Sequence, residues 1–414
     1  MITSKKELLA ALKLAASSKT QKWPAFARFK TSARGLAREN PAPEGESDVE
    51  FARRQAREFK ETQNYFGRLL MQTSCGLWES EFYFKDKWPY EEIVVGLDIL
   101  TQAVKALGSG EIELIAENGF LHIWQGKECI KIEKLILSEE IKKEIPHTTL
   151  RELNRGIERW FNIYEFYGVI KILKRILTFA AKTDFGRAHD SVYFENRAWE
   201  GEEYEDLILA ACDGQAVAAG KQIVERMGGF GIFLLPANAA RKICAAAKLF
   251  APEGMLMRLD NDIASFEIGR AIISAKLIEG DFINPEVARH TNVAAAFEIN
   301  AAQITRLAKK AKIMGRVLAF RYKNGILAAA AGCADYEVGG VIPAGKVSRP
   351  LESEFNFNIS ADTFCEILKN ITAETINLYY SNGKLLYVAA EGINYGIFLP
   401  AKQEDKNEKN KEND

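Results

Sequence analysis

The sequence predicts an α+β fold of three tandem domains, each with two helices packed on antiparallel sheets. Three observations carry that expectation. First, one phrase recurs: an apolar strand, a short Ala- and Leu-rich helix, then two alternating strands joined by a tight turn. It reads EIVVGLDILTQAVKALGSGEIELIAENGFLHIW over 92–124 and IFLLPANAARKICAAAKLFAPEGMLMRLDNDIASFEIGR over 232–270, and it returns over 297–330 and 355–399. Second, Asn118-Gly119, Asn324-Gly325 and Asn382-Gly383 each sit between alternating runs, and Asn-Gly supplies the two positive φ values of a type I′ hairpin turn. Third, 414 residues are too many for one ordinary core and suggest roughly two to four domains.

Taken in order, residues 4–18 have helical spacing at Leu8, Leu9, Leu12 and Ala15–Ala16. Residues 31–66 turn polar and charged and read as an insertion, part loop and part solvated helix. Strands resume near 68–84 and run into the first full phrase, which gives a first domain over 1–137. Residues 138–166, SEEIKKEIPHTTLRELNRGIERWFNIYEF, have helical period but no place in the repeat, and read as a connector with its own helix. A second domain over 167–284 opens with the helix YGVIKILKRILTFAAKT, and a third follows over 296–402. Residues 403–414 are a charged, solvated tail with nothing to bury.

Composition excludes several classes. Hydrophobic content of 47% and charged content of 27% are those of a soluble globular protein. The net charge of −1 leaves no global field toward nucleic acid or membrane, so any such attraction needs segregated charge. Six scattered cysteines without C-x-x-C spacing fit a reducing compartment. With no signal-peptide core and no apolar run of membrane-spanning length, the expected location is cytoplasmic.

Three repeat helices carry cations and no acids: 168–182 with Lys171, Lys174, Arg175 and Lys182; 236–251 with Arg241, Lys242 and Lys248; and 300–316 with Arg306, Lys309, Lys310, Lys312 and Arg316. One basic helix face is ordinarily plain solvation. Three in matching repeat positions form a surface suited to a phosphate backbone read without regard to sequence. Few aromatics accompany them, which favours duplex over stacked single strands.

Catalytic constellations are weak. His122, His147, His189 and His290 stand far apart, with no metal-ligand motif, P-loop, G-x-S-x-G or strand-to-helix G-x-G-x-x-G. GGFG at 228–231 precedes a strand and reads as a turn, as does Asp213-Gly214 after LILAAC. The residues announce no enzyme and call for no metal or cofactor.

The chain resembles the bacterial DNA polymerase III beta subunit, the sliding clamp. LILAACDGQAVAA (207–219) is similar to the family's segment ending in Thr-Asp-Gly-His-Arg-Leu-Ala, FLLPANAARKI (233–243) to its Pro-led strand-to-helix passage, and ISAKLIEGDFINPE (273–286) to its Leu-Ile-Glu-Gly-x-Phe-Pro signature. FNISADTFCEILKNI (357–371) is similar to its Phe-Asn helix entry and YGIFLPAK (395–402) to its terminal Met-Pro strand. The family's His-Arg is here Gln215-Ala216, its Phe-Pro-Asp-Tyr is Phe282-Ile283-Asn284-Pro285, and its Met-Pro-Met is Leu399-Pro400-Ala401. The chain thus reads as a divergent member.

The resemblance implies three DNA-clamp-like domains per chain and a head-to-tail homodimeric ring. Helices would line the hole and hold double-stranded DNA without sequence preference. DNA polymerase and clamp-loader subunits would dock short apolar peptide motifs. Carried over residue by residue, that peptide-binding cleft uses Cys212, Gly214, Val217, Pro236, Ala240 and Arg241, with Ile397, Phe398, Leu399 and Pro400. Val217 and Ile397 read equally well as core residues. The implied protein has no catalysis of its own. The alternative is a clamp-like scaffold that binds partner peptides without encircling DNA.

Overall fold

The computed structural model describes residues 1–15, 26–32, 66–72, 78–83, 88, 90–136, 159–180, 188–198, 202–226, 229–252, 254–259, 262–288, 293–314, 317–324, 326–333, 336–340, 354–381, 385–390 and 393–399. Among them one motif occurs six times: a leading strand, a helix, then a meander of three strands. The first is β1 (Ile2–Ser4), α1 (Lys5–Ala15), β2 (Phe26–Ser32), β3 (Phe66–Gln72) and β4 (Trp78–Tyr83). The second is β5 (Ile93–Gly96), α2 (Leu97–Ala106), β6 (Glu111–Glu117), β7 (Phe120–Gln125) and β8 (Glu128–Glu133). The third is β9 (Arg159–Ile163), α3 (Phe166–Ile176), β10 (Ser191–Ala198), β11 (Tyr204–Cys212) and β12 (Ala216–Glu225). The fourth is β13 (Ile232–Pro236), α4 (Ala237–Phe250), β14 (Met255–Leu259), β15 (Ile263–Ile268) and β16 (Ala271–Lys276). The fifth is β17 (Ala295–Asn300), α5 (Ala301–Met314), β18 (Val317–Lys323), β19 (Ile326–Cys333) and β20 (Tyr336–Gly340). The sixth is β21 (Phe355–Ser360), α6 (Ala361–Leu368), β22 (Thr375–Ser381), β23 (Leu385–Ala390) and β24 (Ile393–Phe398).

Two sequence expectations change. The recurring unit is βαβββ, one strand longer than the phrase read from the sequence. The end of the expected helical connector is strand β9, antiparallel to β14 with Phe161 opposite Met257. Phe161 and Ile163 are buried with Asn162 exposed between them, the two-residue period of a strand. The ends of the expected insertion, 31–66, are strand instead, with Thr31 and Ser32 in β2 and Phe66 in β3; the rest, 33–65, lies outside the described residues and joins these two strands, which pair antiparallel with Ser32 opposite Phe66. The entropic cost of closing a chain connection grows only slowly with its length. The tail and Asn382-Gly383 also lie outside the described residues. Asn118 and Gly119 have φ of 51° and 78°, as a type I′ turn requires.

Leading strands are exchanged between repeats. β1 joins the second meander in the sheet β1-β6-β7-β8, and β5 joins the first; β9 and β13 exchange likewise, as do β17 and β21. The chain folds as two compact units. One takes in Met1–Phe166, Lys182–Gly186 and Asn238–Ile278, the other Tyr167–Ala181, Arg187–Ala237 and Glu279–Asp414. The first contains the four-stranded sheet β1-β6-β7-β8 and the eight-stranded sheet β5-β2-β3-β4-β16-β15-β14-β9. The second contains the four-stranded sheet β20-β19-β18-β21 and the eight-stranded sheet β13-β10-β11-β12-β24-β23-β22-β17.

Apolar helix faces cover these sheets. Ile304, Leu307, Ala308 and Ala311 of α5 are buried at i, i+3, i+4 and i+7 spacing, as are Leu97, Leu100 and Val104 of α2. In the second unit α3 sits so close to β12 that a Cβ on Gly220 would stand 2.6 Å from Ile172 Cγ2. Aromatic rings join β21 to its neighbours: Phe355 stacks on Tyr380 at 4.2 Å and on Tyr322 at 5.1 Å.

Candidate nucleic-acid interface and peptide cleft

Burying one face of each helix pushes its charged residues to the other. On α3, Val169, Ile172, Leu173 and Ile176 are buried while Lys171 and Lys174 are exposed and Arg175 is half-buried. On α4, Ile243, Ala246 and Ala247 are buried and Lys248 is exposed. Arg241 and Lys242 are half-buried. Arg241 donates from Nη1 to Asn238 Oδ1 at 2.6 Å, and burial pushes the Lys242 amine down to about 8. On α5, Arg306, Lys309 and Lys310 are exposed. Lys312 is also exposed but is held by Asp362 Oδ1 at 2.7 Å, which raises its pKa.

The segregation is not sixfold. Asp362 and Glu366 make α6 acidic, α2 carries Asp98 beside Lys105, and α1 mixes Lys5, Lys6 and Lys13 with Glu7. The strongest cationic faces are those of α3, α4 and α5.

The cleft residues fall into two groups. In the second unit, Cys212 ends β11 and Gly214 lies in the following turn with φ of 86°. Asp213 Oδ1 shapes that turn by accepting from the Gln215 and Ala216 amides at 2.9 and 2.8 Å. Val217 lies opposite Gly396, and Ala216 opposite Ile397, where β12 joins β24. Phe398 donates its amide to the Gln215 carbonyl at 2.9 Å. The turn residues, Phe398 and Leu399 therefore converge at one pair of strand ends. Pro236 lies elsewhere in this unit, at the end of β13 opposite Ser191. Ala240 and Arg241 lie on α4 within the first unit, and Pro400 is outside the described residues.

Burial separates lining from core. Val217 and Ile397 are 0% and 2% exposed, and Cys212 is buried enough that desolvation raises its thiol pKa. The accessible groups are Asp213, Gly214, Gln215 and part of Phe398. Beside them opens a polar cavity lined by Asp213, Gln215, Asp362, Thr363 and Glu366. Sequence reasoning missed the α6 contribution because it sought apolar lining. The acids at i and i+4 of a helix entry were the available signal.

A further cluster ties the segment between the fourth and fifth repeats to β10. Arg197 bridges Glu195 and Glu286, both at 3.0–3.1 Å, and Phe282 packs on Tyr193 with ring centroids 5.3 Å apart. Burial and Glu195 push the Tyr193 hydroxyl up to about 12. Among the described residues no group of three or more His, Cys, Asp or Glu is placed to hold a metal ion. No helix among them is long and apolar enough to cross a membrane.

Six βαβββ repeats exchanging leading strands in pairs, with basic helices backed by antiparallel sheets, are the architecture of a DNA clamp. Solved structures agree over nearly the whole chain. The β sliding clamp of Caulobacter crescentus is 13% identical with a TM-score of 0.72, covering 96% of this chain and 98% of that one. The Pseudomonas aeruginosa DNA polymerase sliding clamp is 13% identical with a TM-score of 0.70, covering 97% and 99%. The DNA polymerase III beta subunit of Thermotoga maritima is 15% identical with a TM-score of 0.71, covering 96% and 98%. No protein-family model and no curated protein matches the chain. The chain has the fold of the bacterial DNA polymerase III beta sliding clamp, in a divergent sequence.

Proposed function

We propose that this protein is a DNA sliding clamp: a head-to-tail homodimeric ring that encircles duplex DNA and tethers a DNA polymerase and its clamp loader through a peptide-binding cleft, with no catalysis of its own. One observation carries the reading. Both eight-stranded sheets join two half-sheets through the last strands of their meanders, first repeat to fourth (β4–β16) and third to sixth (β12–β24). In both cases a repeat meets the one three places on. Continued, the rule joins the fifth repeat to the second of another copy, pairing the free edges β20 and β8. That contact is heterologous, and a heterologous contact that closes makes a ring. Large apolar side chains are exposed in both of these repeats: Ile136, three residues after β8, is 87% exposed, and Ile313, near the end of α5, is 86% exposed.

In such a ring the cations of α3, α4 and α5 hold phosphates weakly and interchangeably, so the ring slides. A polymerase bound to it stays at high effective concentration at the primer end. Native mass spectrometry of the full chain and retention on nicked circular duplex test this together. The expected result is a dimer, twice 46.3 kDa, retained on circles at high salt and lost when the circle is cut. A monomer at micromolar concentration would overturn the ring and favour the non-encircling scaffold.

A further inference from the structure

The cavity beside the cleft has a volume of about 430 Å³ and is built by three segments of the second unit. The turn after β11 brings Asp213 and Gln215, the first turns of α6 bring Asp362 and Glu366, and the turn after α3 brings Thr178 and buried Phe179. Its walls are tied, since Thr363 Oγ1 donates to Gln215 Oε1 at 3.3 Å. It is continuous with the proposed peptide cleft, because Gln215 both lines the cavity and accepts the Phe398 amide.

The lining selects by charge. Asp362 already holds one ammonium, that of Lys312 at 2.7 Å, and Glu366 holds that of Lys369. Both lysines are about half exposed, 46% and 61%, so water competes with these pairs and they are weak. Asp213 uses Oδ1 for its own turn, and among the described residues it has no cationic partner. An incoming carboxylate would meet three carboxylates. An aliphatic side chain would desolvate them without compensation. A guanidinium matches, because its planar fork donates to several carboxylate and amide oxygens at once.

We propose that this cavity is a specificity subsite for a partner peptide that carries an arginine next to its apolar anchors. The inference rests on the peptide-cleft reading above and deepens it. Asp213 and Glu366 would receive the guanidinium, Gln215 would add an acceptor, and Phe179 would floor the side-chain stem.

The test uses the full chain and peptides selected for binding it from a random decapeptide display library. A selected peptide bearing arginine is compared by fluorescence anisotropy with the same peptide bearing citrulline, which keeps shape and removes charge. The expected result is enrichment of arginine and about tenfold weaker binding of the citrulline peptide. The gap should shrink at high salt and close in the Asp213→Asn/Glu366→Gln double variant, in which Asn keeps the oxygen that shapes the turn. Circular dichroism melting confirms that this variant is folded. Equal binding of the two peptides by the parent chain would overturn the arginine subsite and leave the apolar cleft standing. Selection of no peptide would overturn both.

Discussion

If the exposed cations of α3 and α5 face duplex DNA, removing them changes the salt dependence of binding by a calculable amount. Lys174, Lys309 and Lys310 suit this test because all three are exposed and, among the described residues, none is ion-paired. Arg241 is unsuitable, since its guanidinium is bonded to Asn238 and its loss perturbs α4. Each phosphate neutralised on B-form DNA contributes about 0.9 to the slope of log affinity against log salt. Replacing the three lysines by Gln therefore flattens the slope by about 3 if one protomer's set engages DNA, and by about 5 if both do. Between 50 and 200 mM salt, each lost contact removes about a threefold change in affinity. Anisotropy of a labelled 30-base-pair duplex, titrated at several KCl concentrations, reads the slope directly. An unchanged slope in a triple variant that melts like the parent would refute the placement of these helices against DNA.

Four further outcomes follow from packing and burial. Gly220→Ala drives a methyl to 2.6 Å from Ile172 Cγ2 and should lower stability by about 1–3 kcal/mol in urea unfolding. Gly168→Ala, which meets only the mobile end of Gln222, should stay within about 1 kcal/mol of the parent. Phe355→Ala removes a ring stacked at 4.2 Å on Tyr380 and should cost about 3–5 kcal/mol by the same measurement. Lys242 has a folded-state pKa of about 8, below the ordinary 10.5, so its partly desolvated ammonium opposes folding most below pH 8. The unfolded chain binds more protons between pH 8 and 10.5, so stability should rise with pH across that window. Lys242→Met should abolish this rise in urea midpoints taken at pH 7 and 9.5.

The repeat was legible in the sequence wherever its strands alternate and its turns carry Asn-Gly. It was hidden where a different signal was louder. The first copy is interrupted between β2 and β3 by 33–65. The third begins at Arg159–Ile163, whose five residues adjoin a stretch of helical period and read as its continuation. A short edge strand is specified by the partner it pairs with, here β14, more than by its own composition. Strand exchange was invisible for a related reason, because which meander a leading strand joins is a long-range choice with no local pattern. The cationic helix faces were legible because charge on an amphipathic helix must go where the apolar face is not. Of the residues carried over to the proposed cleft, Gly214 is exposed and Phe398 partly so, whereas Val217 and Ile397 are core.

The backbone repeats six times and the charge does not, and on the proposed function that mismatch separates two tasks. Cations without acids recur on α3, α4 and α5, whereas the corresponding position on α6 carries Asp362 and Glu366. A surface meant only to slide along phosphates would gain from a fourth such helix, and acids there oppose it. The acids of α6 instead line a cavity with the Asp213 turn, and Lys312 of α5 bridges to Asp362. Lys312→Ala should therefore act on two readouts in opposite directions. It removes a cation from the proposed DNA-binding face, weakening duplex binding, and it takes a competing ammonium away from the cavity, tightening binding of the arginine-bearing peptide. A fall in both affinities would show that α5 and α6 act as one surface and would remove the basis for assigning them separate tasks.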